Sequence, residues 1–455
     1  MLRRKIQSFI EEYFSRPQNK VLLIDGARQI GKSYIVREVG RKLFKHYVEI
    51  NLKEDSLHDR VFASVATVSD FYLQLSSLKG GQLGNREDTL IFLDEIQSYP
   101  VLLTLLKFLK ADDRYTYVCS GSLLGVTLQQ TPSIPIGSIL QVEMYPLDFE
   151  EFLWANHVGE EAIEAMRQKF LSHESLPEDL HKRMLGLFQR YLITGGMPDA
   201  INTYLQEMNV VKIRNVQQDI HQLYALDASQ YDNEHRLKIR AIYDMIPSIL
   251  ENKKKRIIVK NIENKAGKQY SDYENEFEYL VSAGIALDVT AVSNPKFPLV
   301  ESAKKSLLKL YLSDVGILTG LLYDNNIRPL LEDIKSVNLG TVYESVVAQE
   351  LKAHGFKLYY YDNKHAGEVD FLVDDFENLS VLPIEVKSGK DYTVHSALNH
   401  FLSVPDYGVK QGIVLSQSRE VKQMGDVLYL PIYYVMFLTG RRFIPTAADI
   451  IPPLD

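Results

Sequence analysis

Short apolar runs alternate with amphipathic stretches over the first 150 residues. VLLID (21–25), YVEIN (47–51), TLIFLD (89–94), YTYVCS (115–120) and ILQVEM (139–144) predict buried strands. The stretches between them, such as SYIVREVGRKLF from Ser33, carry apolar positions at helical spacing. Strands buried on both faces and separated by helices predict a parallel sheet covered by helices. From about 147 to 232 the pattern turns helical, broken at Gly195-Gly196-Met197-Pro198. From 234 to 318 short helices lead into IALDVTAV and SLLKLYLSD, which predict a hairpin. From Leu339 a helix is followed by short strands again. These shifts divide the chain into 1–150, 151–233, 234–335 and 336–455.

The chain has 455 residues, enough for two to four domains of about 100–200 residues each. Hydrophobic residues make up 45% and charged residues 24%, which excludes a disordered or fibrous chain. The net charge of −8 excludes a polycation that coats nucleic acid by bulk charge and leaves room for a local basic patch. One cysteine, Cys119, excludes a disulfide scaffold and a cysteine zinc site. No apolar run reaches the roughly 18–20 residues that span a bilayer, so no membrane partner is expected. The N-terminal MLRRKIQSFIEEYF is charged where a signal peptide needs an apolar core, and a cytoplasmic location is expected.

The sharpest motif is Gly26-Ala27-Arg28-Gln29-Ile30-Gly31-Lys32-Ser33, of the form GxxxxGK[ST]. An apolar strand precedes it and an amphipathic helix follows, the context a phosphate loop needs. Glycines let backbone N–H groups turn toward phosphates, and the helix N-terminus adds its positive dipole end. Lys32 supplies a charge for the β- and γ-phosphates, and the Ser33 hydroxyl can ligate Mg²⁺. The partner strand TLIFLD ends in Asp94, placed near that metal, followed by Glu95, placed to orient or activate a water. A third strand ends in Ser120-Gly121-Ser122. A polar group there could sense the γ-phosphate; a plain strand-ending turn is the competing reading.

GARQIGKS, LIFLDEIQ, CSGS and YPLDFEEFL resemble the AAA+-type ATPases of bacteria and archaea that carry a C-terminal domain of uncharacterised function. ITGGMPDA and KLYLSDVGIL extend the resemblance over nearly the whole chain. It implies ATP and Mg²⁺ as cofactors, Lys32, Ser33, Asp94 and Glu95 as the nucleotide site, and Ser120 or Ser122 as the sensor. Many relatives have Gly-Arg shortly before the PL.F.EF segment. Here the pair is Gly137-Ser138, so no arginine finger carries over; Arg183 and Arg190 are nearby in sequence, and no spacing selects either. The oligomeric state stays open.

After residue 335 three pieces carry further chemistry. Glu344 lies in TVYESVVAQEL, which predicts a helix with Glu344, Ala348 and Leu351 on one face. Asp370 lies in GEVDFLV and Glu385 and Lys387 in PIEVKSG, both predicted strands. Glu385 and Lys387, two apart, project from one side of the sheet. Asp370 and Glu385 on neighbouring strands could hold Mg²⁺, with Lys387 beside the metal-bound water. The set Glu344, Asp370, Glu385 and Lys387 resembles that of the PD-(D/E)xK nuclease fold. A surface strand with solvated charges is the plain alternative, and the same fold without cleavage is a third reading. Residues 341–455 hold 10 Lys plus Arg and 15 Asp plus Glu, an acidic surface that attracts DNA poorly.

Residues 234–309 hold 14 Lys plus Arg against 10 Asp plus Glu, including Lys253-Lys-Lys-Arg256 and Lys304-Lys305. The helix, helix, hairpin order resembles the winged-helix unit of these ATPases, which can bind DNA through its third helix and wing. The expected third helix, SDYENEFEYLVSAG, presents Asp272, Glu274, Glu276 and Glu278, the wrong sign for phosphates. Contacts from Lys253–Arg256 to a nucleic-acid backbone and a solvated basic loop remain alternatives. The expected fold is therefore α/β: an AAA+-like P-loop sheet, a helical segment, a winged-helix unit and a nuclease-like C-terminal domain. The expected function is an ATPase gating a nuclease-like domain that acts on nucleic acid. The alternative is a nucleotide-gated protein whose C-terminal domain binds nucleic acid or a protein partner without cutting.

Overall fold

The computed structural model describes residues 2–79, 83–122, 136–228, 235–252, 254–263, 267–332, 334, 337–365, 367–389 and 391–440. Lys253, part of the expected basic loop, lies outside them. The chain forms two compact units. One comprises Arg3–Tyr145 with Glu278–Ile285; the other comprises Pro146–Phe277 and the residues from Ala286 onward.

The first unit is built on β1 (Val21–Asp25), β2 (His46–Asn51), β3 (Thr89–Asp94), β4 (Thr116–Ser120) and β5 (Ile139–Glu143), in the order β2-β3-β4-β1-β5. Every pairing is parallel. β1 and β3 are buried along their whole length, which is why they are continuous apolar runs rather than alternating ones. Phe62, Phe71, Leu102 and Leu106 pack with Ile91 and Leu93 in the core over this sheet. This is the α/β P-loop fold expected from the sequence. Strand β1 is flanked by β4 on one side and β5 on the other, so chain direction diverges there. That divergence opens a crevice beyond the carboxyl ends of the strands, where α/β sheets bind ligands.

The second unit begins with helices, including Glu178–Thr194 and Pro198–Glu207, and ends in a mixed sheet. Its strands are β6 (Ala286–Val292), β7 (Ala303–Leu312), β8 (Tyr359–Asn363), β9 (Gly367–Asp375), β10 (Ser380–Lys387), β11 (Gly412–Ser416), β12 (Lys422–Met424) and β13 (Val427–Pro431). The order is β12-β13-β11-β10-β9-β8-β6-β7. The predicted hairpin β6/β7 is present and antiparallel, but β6 also pairs with β8 in parallel, Thr290 opposite Tyr359. The strands of the predicted hairpin thus also form the edge of the C-terminal sheet. Helix Gly340–Ala353 is buried from Thr341 to Leu351, so its polar residues must find partners inside the protein.

Two motifs that chemistry left unexplained meet here. The Asp314 carboxylate of KLYLSD accepts from the Gly196 N–H at 2.6 Å and caps helix Val315–Tyr323 through the Ile317 N–H. A Cβ on Gly195, at φ +72°, would fall 2.2 Å from Asp314 Oδ1, so the turn needs glycine.

The expected third helix is Glu274–Ser282, but Glu276 does not face outward. It is 1% exposed, held by His235 at 2.8 Å and Lys238 at 3.8 Å, because an ionised carboxylate inside a fold needs cationic or hydrogen-bonding partners. The basic loop is likewise engaged: Lys255 pairs with Glu344, and Arg256 lies 3.7 Å from Asp362. Among the described residues no helix is long and apolar enough to cross a membrane.

Candidate functional site

The loop between β1 and helix Lys32–Leu43 begins at Gly26, whose φ is +141°. A Cβ there would come within 2.2 Å of the Met144 carbonyl oxygen, so only glycine fits. Gln29 and Gly31 also have positive φ, 61° and 94°, which curls the loop over the start of the helix. Gly31 is the N-cap and no side chain caps it, so the first N–H groups of the helix point into the loop. Ile30 is fully buried and anchors the turn from below. Arg4 braces it from the side, donating to the Ile30 carbonyl at 2.8 Å and the Tyr145 carbonyl at 2.6 Å.

Lys32 is 5% exposed, and its ammonium donates to the carbonyls of Gly26 and Ala27 at 2.8 and 2.6 Å. Burial lowers its pKa, opposed by the charges of Glu95, Asp25 and Asp94. Ser33 Oγ donates to Asp94 Oδ2 at 2.7 Å, and Ser120 Oγ donates to Asp94 Oδ1. Burial raises the Asp94 pKa, and these two hydroxyls oppose the rise. The residue after it, Glu95, takes a left-handed φ of 55°, which turns its side chain away from the strand direction. Glu95 Oε2 accepts from Gln97 Nε2 at 2.5 Å and from Ser122 Oγ at 3.2 Å. Ser122 Oγ in turn accepts from Arg28 Nε at 3.3 Å.

The structure therefore gathers Lys32, Ser33, Asp94, Glu95, Ser120 and Ser122 around one loop, and separates the roles of the two serines. Ser120 holds the Asp94 carboxylate; Ser122 touches Glu95 and Arg28. Sequence reasoning missed Asp25, Gln97 and Arg4. Asp25 closes β1 immediately before the first loop glycine, its Oδ1 accepting from Gly26 N–H at 2.7 Å and its Oδ2 from Gln141 at 2.9 Å. Burial pushes its pKa up to about 6. An acid at the end of an apolar strand was a visible signal; nothing in the sequence paired Gln97 with Glu95. Segment Glu278–Ile285 also packs in this unit, where Gly284, at φ +69°, lies so close that a Cβ would sit 2.9 Å from the Ala27 nitrogen. Arg183 and Arg190 are exposed on helix Glu178–Thr194 of the other unit.

In the second unit the antiparallel register pairs Ile384 with Phe371; continued by one residue, it sets Glu385 opposite Asp370. Val386 N–H donates to Asp370 Oδ2 at 2.8 Å, and Lys387 Nζ donates to Glu385 Oε1 at 2.7 Å. Glu344 is 4% exposed; Lys255 donates to its Oε1 and Tyr311 hydroxyl to its Oε2 at 3.4 Å. Lys309 pairs with Glu368 beside them. Burial raises the Asp370 pKa well above the usual range, reinforced by the charges of Glu385 and Glu344. Glu385 Oε2 is buried without a hydrogen-bond partner, a hard oxygen that suits a divalent cation. Among the described residues no three His, Cys, Asp or Glu side chains are grouped as a metal-binding set. The sequence singled out Glu344, Asp370, Glu385 and Lys387, and the fold brings the four together; it missed Lys255, Lys309 and Glu368.

Residues 18–153 match the family described as AAA domain. Residues 185–328 and 339–435 match two domains of unknown function, DUF8612 and DUF4143. The first unit thus carries an AAA domain match on a P-loop sheet, an arrangement suited to nucleotide binding and hydrolysis in general. Among solved structures the chain is similar to the Walker-type ATPase PABY2304 of Pyrococcus abyssi, at 13% identity and a TM-score of 0.43, over 71% of this chain and 96% of that one. It is also similar to the Aeropyrum pernix ORC1 protein in complex with DNA, at 12% identity and 0.30, over 72% and 93%. A third likeness is to the Thermotoga maritima RuvB Holliday junction branch migration motor, at 14% and 0.29, over 62% and 87%. No curated protein matches the sequence.

Proposed function

We propose that the protein is a cytoplasmic, Mg²⁺-dependent ATPase whose nucleotide state gates a nuclease-like C-terminal domain acting on nucleic acid. One observation carries the ATPase reading: the Asp94 carboxylate is held between Ser33 and Ser120 while Glu95, turned aside by its backbone, is held by Gln97 and Ser122. Two adjacent carboxylates thus have different surroundings and different tasks. Ser33 and Asp94 offer the hard oxygens that would hold Mg²⁺, which when bound neutralises phosphate charge. Lys32 and the uncapped helix N-terminus would bind the β- and γ-phosphates. Glu95 would orient a water and take its proton, with Ser122 and Arg28 positioned to report on the γ-phosphate.

In the C-terminal site Asp370 and Glu385 would hold the divalent ion, which when bound supplies Lewis-acid polarisation of a phosphodiester. Glu344 would orient that pair and Lys387 would steady the attacking water. Steady-state ATP hydrolysis, and cleavage of single- and double-stranded DNA and RNA with Mg²⁺ or Mn²⁺, each with and without ATP, test the two halves. ATP hydrolysis without cleavage under any condition would favour the second reading, a nucleotide-gated protein whose C-terminal domain recognises nucleic acid or a protein partner. One observation supports that second reading: Lys255, Lys309 and Lys387 already neutralise most of the carboxylate charge.

A further inference from the structure

Lys255 reaches the C-terminal carboxylates from a part of the chain far from the strands that carry them. It follows helix Arg236–Leu250, 89 residues before its partner Glu344. Its backbone takes φ +48°, a left-handed conformation that is strained for a residue with a Cβ and persists only where surroundings enforce it. Two contacts enforce it: Lys255 N–H donates to the Asn252 carbonyl at 3.1 Å, and Ile257 N–H donates to Leu308 of β7 at 3.0 Å. The long side chain is carried inward and left only 17% exposed, where burying a lysine charge is costly without a counter-charge. Its neighbour Lys254 stays exposed, as a member of a basic surface loop would.

The partner Glu344 is part of the set read as nuclease-like, and Lys255 lies within electrostatic reach of Asp370 as well. A protonated amine donating to a carboxylate of this cluster stands where a divalent cation would exert the same attraction. An ion held by Asp370 and Glu385 and the Lys255 ammonium on Glu344 would be neighbours, and two cations that close repel. We propose that Lys255 is a built-in competitor of the metal ion: its ammonium holds Glu344 beside Asp370 and Glu385, and a divalent cation on those two carboxylates binds at full affinity only when that ammonium is removed. This deepens the proposed function and rests on its reading of Asp370 and Glu385 as metal ligands. It also assigns the basic run a role inside the protein.

The test is Mn²⁺ binding to the full chain, measured by the electron paramagnetic resonance of free Mn²⁺ and by metal-dependent melting. An Asp94→Asn background removes the metal site of the ATPase unit. Lys255→Met should bind Mn²⁺ roughly 5–150-fold more tightly than the parent, the usual span of one coupling between sites. Lys255→Gln keeps a donor to Glu344 without the charge and should tighten binding in the same direction, which guards against a folding defect in the first variant. Lys255→Arg and Lys254→Met should bind like the parent. Without metal, Lys255→Met should melt lower, and Mn²⁺ should raise its melting temperature more than the parent's. Equal or weaker Mn²⁺ binding in both neutral variants overturns the competitor role and leaves the metal site standing. No Mn²⁺ binding in any of these proteins overturns both.

Discussion

Ser122 Oγ donates to Glu95 Oε2 across 3.2 Å, while Ser120, two residues earlier, donates to Asp94 instead. β4 ends at Ser120, so the chain between them leaves the sheet and carries Ser122 to the next carboxylate. The two hydroxyls should therefore separate by function. Ser120→Ala should weaken nucleotide binding in the presence of Mg²⁺, through a loosened Asp94. Ser122→Ala should leave affinity near the wild-type value and lower the hydrolysis rate. Titration with a fluorescent ATP analogue and a steady-state phosphate assay on both variants check this division.

Lys32→Ala should abolish ATP binding, since it removes the ammonium that would serve the β- and γ-phosphates. Glu95→Gln should bind ATP normally and hydrolyse it about 10²–10⁴-fold more slowly, the usual contribution of a general base. Equilibrium binding and single-turnover hydrolysis check the pair. Unchanged hydrolysis in Glu95→Gln would remove that residue from the chemical step.

Asp25 predicts a pH dependence. Its pKa in the fold is about 6, raised from an ordinary 3.8 by burial. The folded protein holds this proton more tightly than the unfolded chain, so the group's stabilising contribution is complete below about pH 4 and fades as pH rises to about 6. Asp25→Asn removes that dependence. Relative to wild type, the variant should gain stability on the order of 3 kcal/mol between pH 4 and 7. Denaturant unfolding of both proteins across that range checks the direction, and a difference independent of pH would contradict it.

Asp370 should be required for any effect of metal on the C-terminal site. In the Asp94→Asn background, Mg²⁺ or Mn²⁺ should raise the melting temperature to an extent set by concentration over Kd. Adding Asp370→Ala should remove that rise, together with cleavage of nucleic acid where the parent shows it. A rise that survives Asp370→Ala would place the ion elsewhere.

Binding of duplex DNA through the basic runs should be weak and without sequence preference. Lys255 and Arg256 are engaged with Glu344 and Asp362, which leaves Lys254, Lys304 and Lys305 as the exposed cations of those runs among the described residues. With three phosphate contacts the slope of log K against log salt would be about −3 or shallower. A salt series with duplexes of unrelated sequence measures it.

The P-loop was legible because its chemistry is local. Gly26, Gly31, Lys32 and Ser33 lie within eight residues, and backbone conformation, helix dipole and side chain all act over that distance. Asp94 and Glu95 were legible because an apolar strand of the same sheet must deliver its last residue to the same edge. In the C-terminal set, strand alternation and the helix pattern were enough to select Glu344, Asp370, Glu385 and Lys387. The pairing of Ser122 with Glu95, of Asp314 with Gly196, and of Lys255 with Glu344 had no local signal. Those partners lie 27, 118 and 89 residues apart, and no periodicity reaches so far. The second pairing of the predicted hairpin had no local signal for the same reason: β6 finds its other neighbour, β8, across β7 and three helices. By itself the sequence determined the P-loop fold and selected the residues that gather around its loop and the carboxylate set, each through short-range pattern. Only tertiary structure decided which serine serves which carboxylate and which lysine guards the second site, because a buried charge takes its partner from whatever the fold brings within reach.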